Sequence, residues 1–395
     1  MLASNLLWSV ILFFIQPVLI IGVAYAWYNR NKRVKYSRKQ FRVNFNRSQF
    51  ELKDFLIKGL VPGLIISALS LGLGVPITIY WYLIYQVVAI LLLLIGGSRF
   101  IHPVFTFSVS SMVVYVLEFL DIQINISKIG AVFSEEIFTL NYQSNAVTSV
   151  MINTLLLSAL ILFISTYTLN KNNENKIFPV LGQSKRGKAI AQYTNKSLWV
   201  LPMAVVVPGE VIEPFAKWWP LLSIGNEKYA VLILPILVGL HFTISTQLLN
   251  EATEKLQTEF RMLSILALAS FVVSYLYPAL TIWVIGVLVI TGFIILYRHR
   301  KRENLWNFRY GPADEGLRVI AVRPESPAER LNLSIGDVIM NINDQKMEDK
   351  ITFDEVIAYN RSYIKMRIRR KDGEIIIAET PLYDDDYNNL GLLIL

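Results

Sequence analysis

Three histidines are the side chains here best suited to proton or metal chemistry near neutral pH. They are His102, His241 and His299, and they lie far apart in the chain. A zinc-type site on one helix face needs a His-Glu-x-x-His run, and none of the three begins one. A serine nucleophile of the hydrolase kind stands in Gly-x-Ser-x-Gly, which is absent. "GQSKRGK" (Gly182–Lys188) sets a serine beside a lysine, but in a basic stretch that reads as a membrane-surface loop. There is no cysteine, which excludes disulfides, thiolate metal sites and thiol nucleophiles. No phosphate-binding lysine loop and no dinucleotide glycine fingerprint is present. Glu210 and Glu213 border one apolar stretch and His241 lies inside another. Ionisable groups within a membrane mark ion or proton paths. The plainer reading puts the two glutamates at a hairpin tip and His241 in a helix–helix hydrogen bond.

The elements around these residues are mostly greasy. Of 395 residues, 54% are hydrophobic and only 17% charged, against about 25% charged in soluble domains. The long apolar runs fill residues 1–297, while 298–395 has ordinary soluble composition. The net charge of +8 does not point to nucleic acid, because the basic residues flank apolar runs, where they set topology. A spanning helix needs roughly 20 apolar residues. Candidates fall at 5–28, 54–74, 76–96, 101–121, 146–169, 198–214, 229–247, 261–277 and 278–297, giving seven to nine spans with nine favoured. The first has no basic residue before it and is too long for a cleaved signal, so it reads as a retained anchor. "GLVPGL" (Gly59–Leu64) marks either a broken helix or a tolerated kink. The basic runs Arg30–Arg47, Lys171–Lys188 and Tyr297–Arg302, together with Arg99, fall on one side of a nine-span threading. That side is the cytoplasm. The acidic loop Asp121–Glu136 and the N-terminus fall outside.

Beyond a basic juxtamembrane linker at 298–313, the pattern changes. "GLRVIAV" (Gly316–Val322) alternates as a strand. Pro327 and Ser326 start a short helix. Gly336 and Asp337 make a turn into a second strand, with Val338, Met340 and Ile342 on one face and Ile339 on the other. A helix follows over Thr352–Asn360. Then comes a hairpin about Asp372–Gly373 and a last strand in "NLGLLIL" (Asn389–Leu395). The run Ser326–Asn343, "SPAERLNLSIGDVIMNIN", resembles the bacterial PDZ family, and the resemblance covers residues 314–395.

The expected fold class is therefore an α-helical polytopic membrane domain of seven to nine spans, 1–297, followed by a small α+β PDZ domain of the circularly permuted bacterial type. PDZ domains add a peptide as a strand beside their own sheet. The resemblance places the peptide between the last strand, with Leu390, Gly391, Leu392, Leu393 and Ile394, and the helix bearing Phe353, Val356 and Ile357. Phe308–Gly316 is the alternative carboxylate loop, and a plain core strand without ligand is the bland alternative for "NLGLLIL". A polytopic chain of this length with one terminal PDZ domain and no catalytic motif resembles the MinJ family of division-site topological factors. That resemblance implies a non-enzymatic scaffold without metal or cofactor, in the cell membrane at septa and poles, with a cytoplasmic PDZ domain. The partners it implies are DivIVA, MinD, other divisome proteins and membrane lipids, not nucleic acid; self-association is compatible with it. A PDZ-bearing membrane protease or protease regulator, and a transporter-like protein with a regulatory PDZ domain, are the competing classes.

Overall fold

The structure is a computed structural model that describes residues 2–41, 49–122, 146–169, 178–183, 187, 189–224, 228–304, 310–323, 325–359, 362–383 and 390–395. The greater part of the expected acidic loop at 121–136, of the basic loop at 171–188 and of the run 42–48 lies outside the described residues.

The first half is built from apolar helices: α1 (Leu2–Ile15), α2 (Pro17–Phe41), α3 (Phe50–Ile57), α4 (Leu60–Leu73), α5 (Ile79–Gly96), α6 (Pro103–Phe119), α7 (Val147–Leu169), α8 (Leu249–Leu276) and α9 (Thr281–Glu303). Among the described residues, five stretches are long and apolar enough to cross a membrane, and α1 with α2, bent by 42°, makes a sixth. The bend sits before Pro17, whose ring and missing N–H interrupt the helical ladder. The helices are apolar on their outer surfaces. On α9, Trp283, Val287, Ile290, Ile294 and Tyr297 are exposed, while Ile285, Leu288 and Ile295 are buried. The stripe recurs every three or four residues, as a helix face does. Ser264, Ala267, Ser270 and Ser274 of α8 are buried, small residues of the sort that let membrane helices approach closely.

The centre of this half corrects the sequence expectation. Residues 198–214 and 229–247 are not helices. They belong to two long antiparallel strands, β2 (Ala189–Ile212) and β3 (Tyr229–Ile244), with the short β1 (Phe178–Gln183) beside β2. Two of the nine expected helices are therefore strands, and among the described residues five to six helical spans, not seven to nine, are long and apolar enough. Pairing runs in one register from Tyr193↔Ile244 to Val207↔Ala230, about 45 Å of ladder. Both segments are rich in valine and isoleucine with a proline inside, and both are buried along most of their length. β-branched residues suit strands, while hydropathy alone does not distinguish a buried strand from a helix.

A strand pair among apolar helices must satisfy its outward N–H and C=O groups from protein, since each orphan in lipid costs several kcal/mol. The helices supply the partners. Along β3, Val231 N–H donates to Asn5 Oδ1 (3.0 Å), and Val231 O accepts from Ser9 Oγ (2.6 Å). Gln16 Nε2 donates to Ile233 O, Leu237 N–H donates to the Tyr85 hydroxyl (3.0 Å), and Gly239 N–H donates to Ile101 O. These are alternate residues, and Pro235 stands in the same row, where a missing N–H removes one donor. Pro202 pairs opposite it. Along β2, Ala204 N–H donates to Ser67 Oγ (2.8 Å) and Val206 O accepts from Ile77 N–H (2.9 Å).

Helix α4 reads β2 residue by residue. A Cβ at Gly59 would collide with the Val200 carbonyl, and one at Gly63 with the Pro202 carbonyl. Ser67 then meets Ala204. Four helical residues rise about 6 Å and two strand residues about 6.6 Å, so the spacing i, i+4, i+8 on the helix keeps step with i, i+2, i+4 on the strand. "GLVPGL" begins at the interruption between α3 and α4, where Gly59 is the N-cap of α4, and its glycines also make a close-approach face.

The C-terminal part has its own core. Strands β4 (Leu317–Val322), β5 (Val338–Ile342), β6 (Gln345–Lys346), β7 (Tyr363–Arg369), β8 (Ile375–Pro381) and β9 (Leu392–Ile394) form a sheet in the order β8-β7-β5-β4-β9, with β6 beside β5. Helices α10 (Pro327–Arg330) and α11 (Lys350–Tyr359) cover it. The Asp372–Gly373 hairpin forms as expected. The expected alternation on β5 does not hold. A register shift lies between Ile339 and Asn341, so Ile339 and Ile342 share one core. Nor does a free linker begin at residue 298, because α9 continues to Glu303. There Glu303 Oε2 accepts from the Ser245 and Thr246 N–H groups (2.6 and 3.0 Å), tying that end to β3.

Candidate functional site

β9 ends its sheet. Its inward main chain is set by paired bonds between Arg318 and Leu395 (N···O 3.0 and 2.9 Å) and by Arg323 N–H to Gly391 O (2.7 Å). Residues 391, 393 and 395 therefore bond toward β4, and the main-chain groups of Leu392 and Ile394 point to the open edge. Their side chains pack on the cluster that holds Phe353, Val356 and Leu390, with Ile357 at its margin. The strand edge and the α11 face expected to frame a peptide therefore flank one apolar cluster. Leu393 is the exception: with Leu395 it packs against the core of the first half, and its main chain faces β4.

The preceding loop is shaped by Gly391. Its φ of +74° is left-handed, and a Cβ there would run into Ser326, so only glycine fits. Leu390 O accepts from Ala328 N–H at 3.1 Å. Ser326, Arg323 and Ala328 thus hold the loop; their part is set by contacts across the fold, and short sequence motifs carry no sign of it. Two carboxyls fix the flanking turns. Asp337, almost fully buried, accepts from Ser334 N–H (2.9 Å) and Arg370 Nη1 (3.1 Å). Burial pushes its carboxyl above the usual range against the pull of those two donors. Asp349 caps α11 by accepting from the Thr352 N–H (2.8 Å) and hydroxyl (2.7 Å), which hold its exposed carboxyl below the usual range.

The alternative loop is engaged elsewhere. Tyr310 is buried, stacks edge-on against Tyr193 of β2 (centroids 4.5 Å apart), and its carbonyl accepts from Ala191 N–H (2.9 Å). The Tyr193 hydroxyl donates to Ile320 O at 2.6 Å. The PDZ-like sheet is thereby seated on the base of the long hairpin. Glu210 is exposed near the opposite end, and Glu213 meets Lys228 at 3.4 Å, the hairpin-tip placement. His102 is buried against Phe260, His299 bonds the Thr243 carbonyl (3.1 Å), and His241 lies on β3. The three histidines are not brought together.

The sequence matches the PDZ domain family over residues 296–375, which is narrower at its end than the sheet just described. The chain is 26% identical to the cell division topological determinant MinJ of Bacillus subtilis, over 98% of this chain and 94% of that protein. It is 23% identical to the probable cell division topological determinant MinJ of Lacticaseibacillus paracasei, over 55% of this chain and 58% of that protein.

Proposed function

We infer, from a sequence that is MinJ-like along nearly its whole length, that this protein is a membrane-anchored scaffold that places the division septum. It bridges a DivIVA-type polar or septal protein to a MinD-type division inhibitor. The observation that carries the reading is that the likeness runs through both the apolar helical part and the PDZ-matching part of this chain, and not through the PDZ part alone.

Residues 1–297 form the membrane part and 314–395 the cytoplasmic PDZ domain. The outward apolar stripes of α8 and α9 support lipid contact, because water-facing surfaces rarely carry such continuous apolar area. The basic end of α2 and the Arg298–Arg302 end of α9 lie toward the PDZ side, while exposed Phe215 and Trp218 stand beyond the far end of β2. Basic residues inside and aromatics at an interface are the usual membrane arrangement, with the N-terminus outside. The peptide site is the open edge of β9, where Leu392 and Ile394 offer main-chain bonds beside Phe353, Val356 and Ile357. Membrane confinement raises the effective concentration of PDZ domain and partner on one surface, so weak peptide binding suffices.

The test is a fluorescent fusion imaged in dividing cells, beside one lacking residues 314–395. Septal and polar enrichment, with misplaced septa on deletion, is expected. Uniform membrane signal with normal division overturns the reading.

A further inference from the structure

Between α2, α3 and the PDZ-side ends of β1, β2 and β3 lies a cleft of about 430 Å³, the size of a small-ligand site. One wall is a buried ion pair: Arg33 grips both carboxylate oxygens of Glu51, with side chains 8% and 10% exposed. That pair saturates itself. Asp54 also lines the cleft, and on α3 it precedes Lys58 by one helical turn, the spacing of an i, i+4 pair. Lys58 Nζ lies 3.4 Å from Ser197 Oγ at the same end. Two more cations, Lys32 of α2 and Lys196 of β2, face the cleft. They are close enough to repel each other. Among the described residues neither forms an ion pair, and Lys32 is occupied only by the ring of Tyr28. Asn195, largely buried, with Asn29 and Thr194, adds polar groups to the lining.

A concave site that holds unpaired like charges against low-dielectric walls concentrates counter-ions. The same two helices carry exposed apolar residues outside the cleft lining: Trp27 and Tyr28 on α2, Leu56 and Ile57 on α3. A tryptophan and a tyrosine at the level of a basic cluster mark the headgroup layer. The occupant this suits has an anionic phosphate and an apolar body. We propose that the cleft binds the headgroup of an anionic phospholipid, its phosphate between Lys32 and Lys196 and its acyl chains along the exposed apolar residues of α2 and α3. This rests on the membrane placement proposed above, and not on the role in division.

The full chain is incorporated into nanodiscs of phosphatidylcholine with or without phosphatidylglycerol, and the unfolding midpoint is followed. Incorporation itself reports membrane placement, so its failure is separate from failure of the site. Phosphatidylglycerol is expected to raise the midpoint by roughly 5 °C. K32Q/K196Q should lose most of that rise while unfolding normally in phosphatidylcholine; K32Q alone carries the test if the double variant does not assemble. K35Q/K39Q removes two charges from the same helix outside the cleft and should keep the rise. No phosphatidylglycerol effect, or equal loss in the two double variants, overturns the site. A full rise with inorganic phosphate in phosphatidylcholine discs overturns the lipid and assigns the cleft to a soluble phosphate compound.

Discussion

Asp349 shows how much one exposed side chain does for α11. It is the only cap seen on α11 among the described residues, and it bonds the third helical N–H, where a carboxylate also meets the positive end of the helix dipole. Because its folded-state pKa is lowered, its stabilisation is complete above the ordinary carboxylate range and is lost as pH falls through the lowered value. D349A should therefore speed hydrogen exchange in the first turn of α11 at neutral pH, and the difference from wild type should vanish in strong acid. A difference that persists there contradicts the cap. At this scale the sequence was partly legible. Gly336, Asp337, Asp372 and Gly373 announced their turns because turn geometry selects those residue types locally. Leu393 and Met340 did not: a strand's parity flips at an irregularity, and the flip at Met340 is fixed by β7, which lies more than twenty residues on.

Among elements, the contact of α4 with β2 is the most restrictive. G63A places a methyl against the Pro202 carbonyl and should cost about 2 kcal/mol, seen as a lower unfolding midpoint of the full chain. G72A, on the same helix with nothing nearby, should be neutral or slightly stabilising. Equal effects would mean that helix propensity, not close approach, governs α4. The PDZ elements were readable because their strands alternate and are separated by turn residues. The long hairpin was not. Strands covered on both faces lose alternation, and the groups that make them tolerable, Asn5, Ser9, Gln16, Ser67 and Tyr85, are scattered over the first 85 residues. Leu390, Leu392, Ile394, Phe353, Val356 and Ile357, named from the sequence, share one apolar cluster, because the alternation of their strands and helix is local.

At the level of the whole molecule, the hairpin joins the PDZ sheet to the apolar helical half through Tyr193, Tyr310 and Ile320. Y193F removes a buried donor to Ile320 O and should weaken the seat by about 1 kcal/mol. Hydrogen exchange in β4 and β9 should quicken while α7 is unchanged; unaltered exchange in β4 contradicts the seat. The same hairpin also constrains how the chain is made. Among the described residues, most helix groups that bond its outward edges come from residues 5 to 101, upstream of β2; His299 of α9, which bonds Thr243 O, follows it. The ribosome thus makes most of the polar receptacle before the strands emerge. With the membrane placement proposed above, a strand released singly into lipid would expose its whole backbone, which favours β2 and β3 entering as a pair, beside helices already made. Moving Asn5, Ser9 and Gln16 behind the hairpin by circular permutation would keep every native contact and remove that order of assembly.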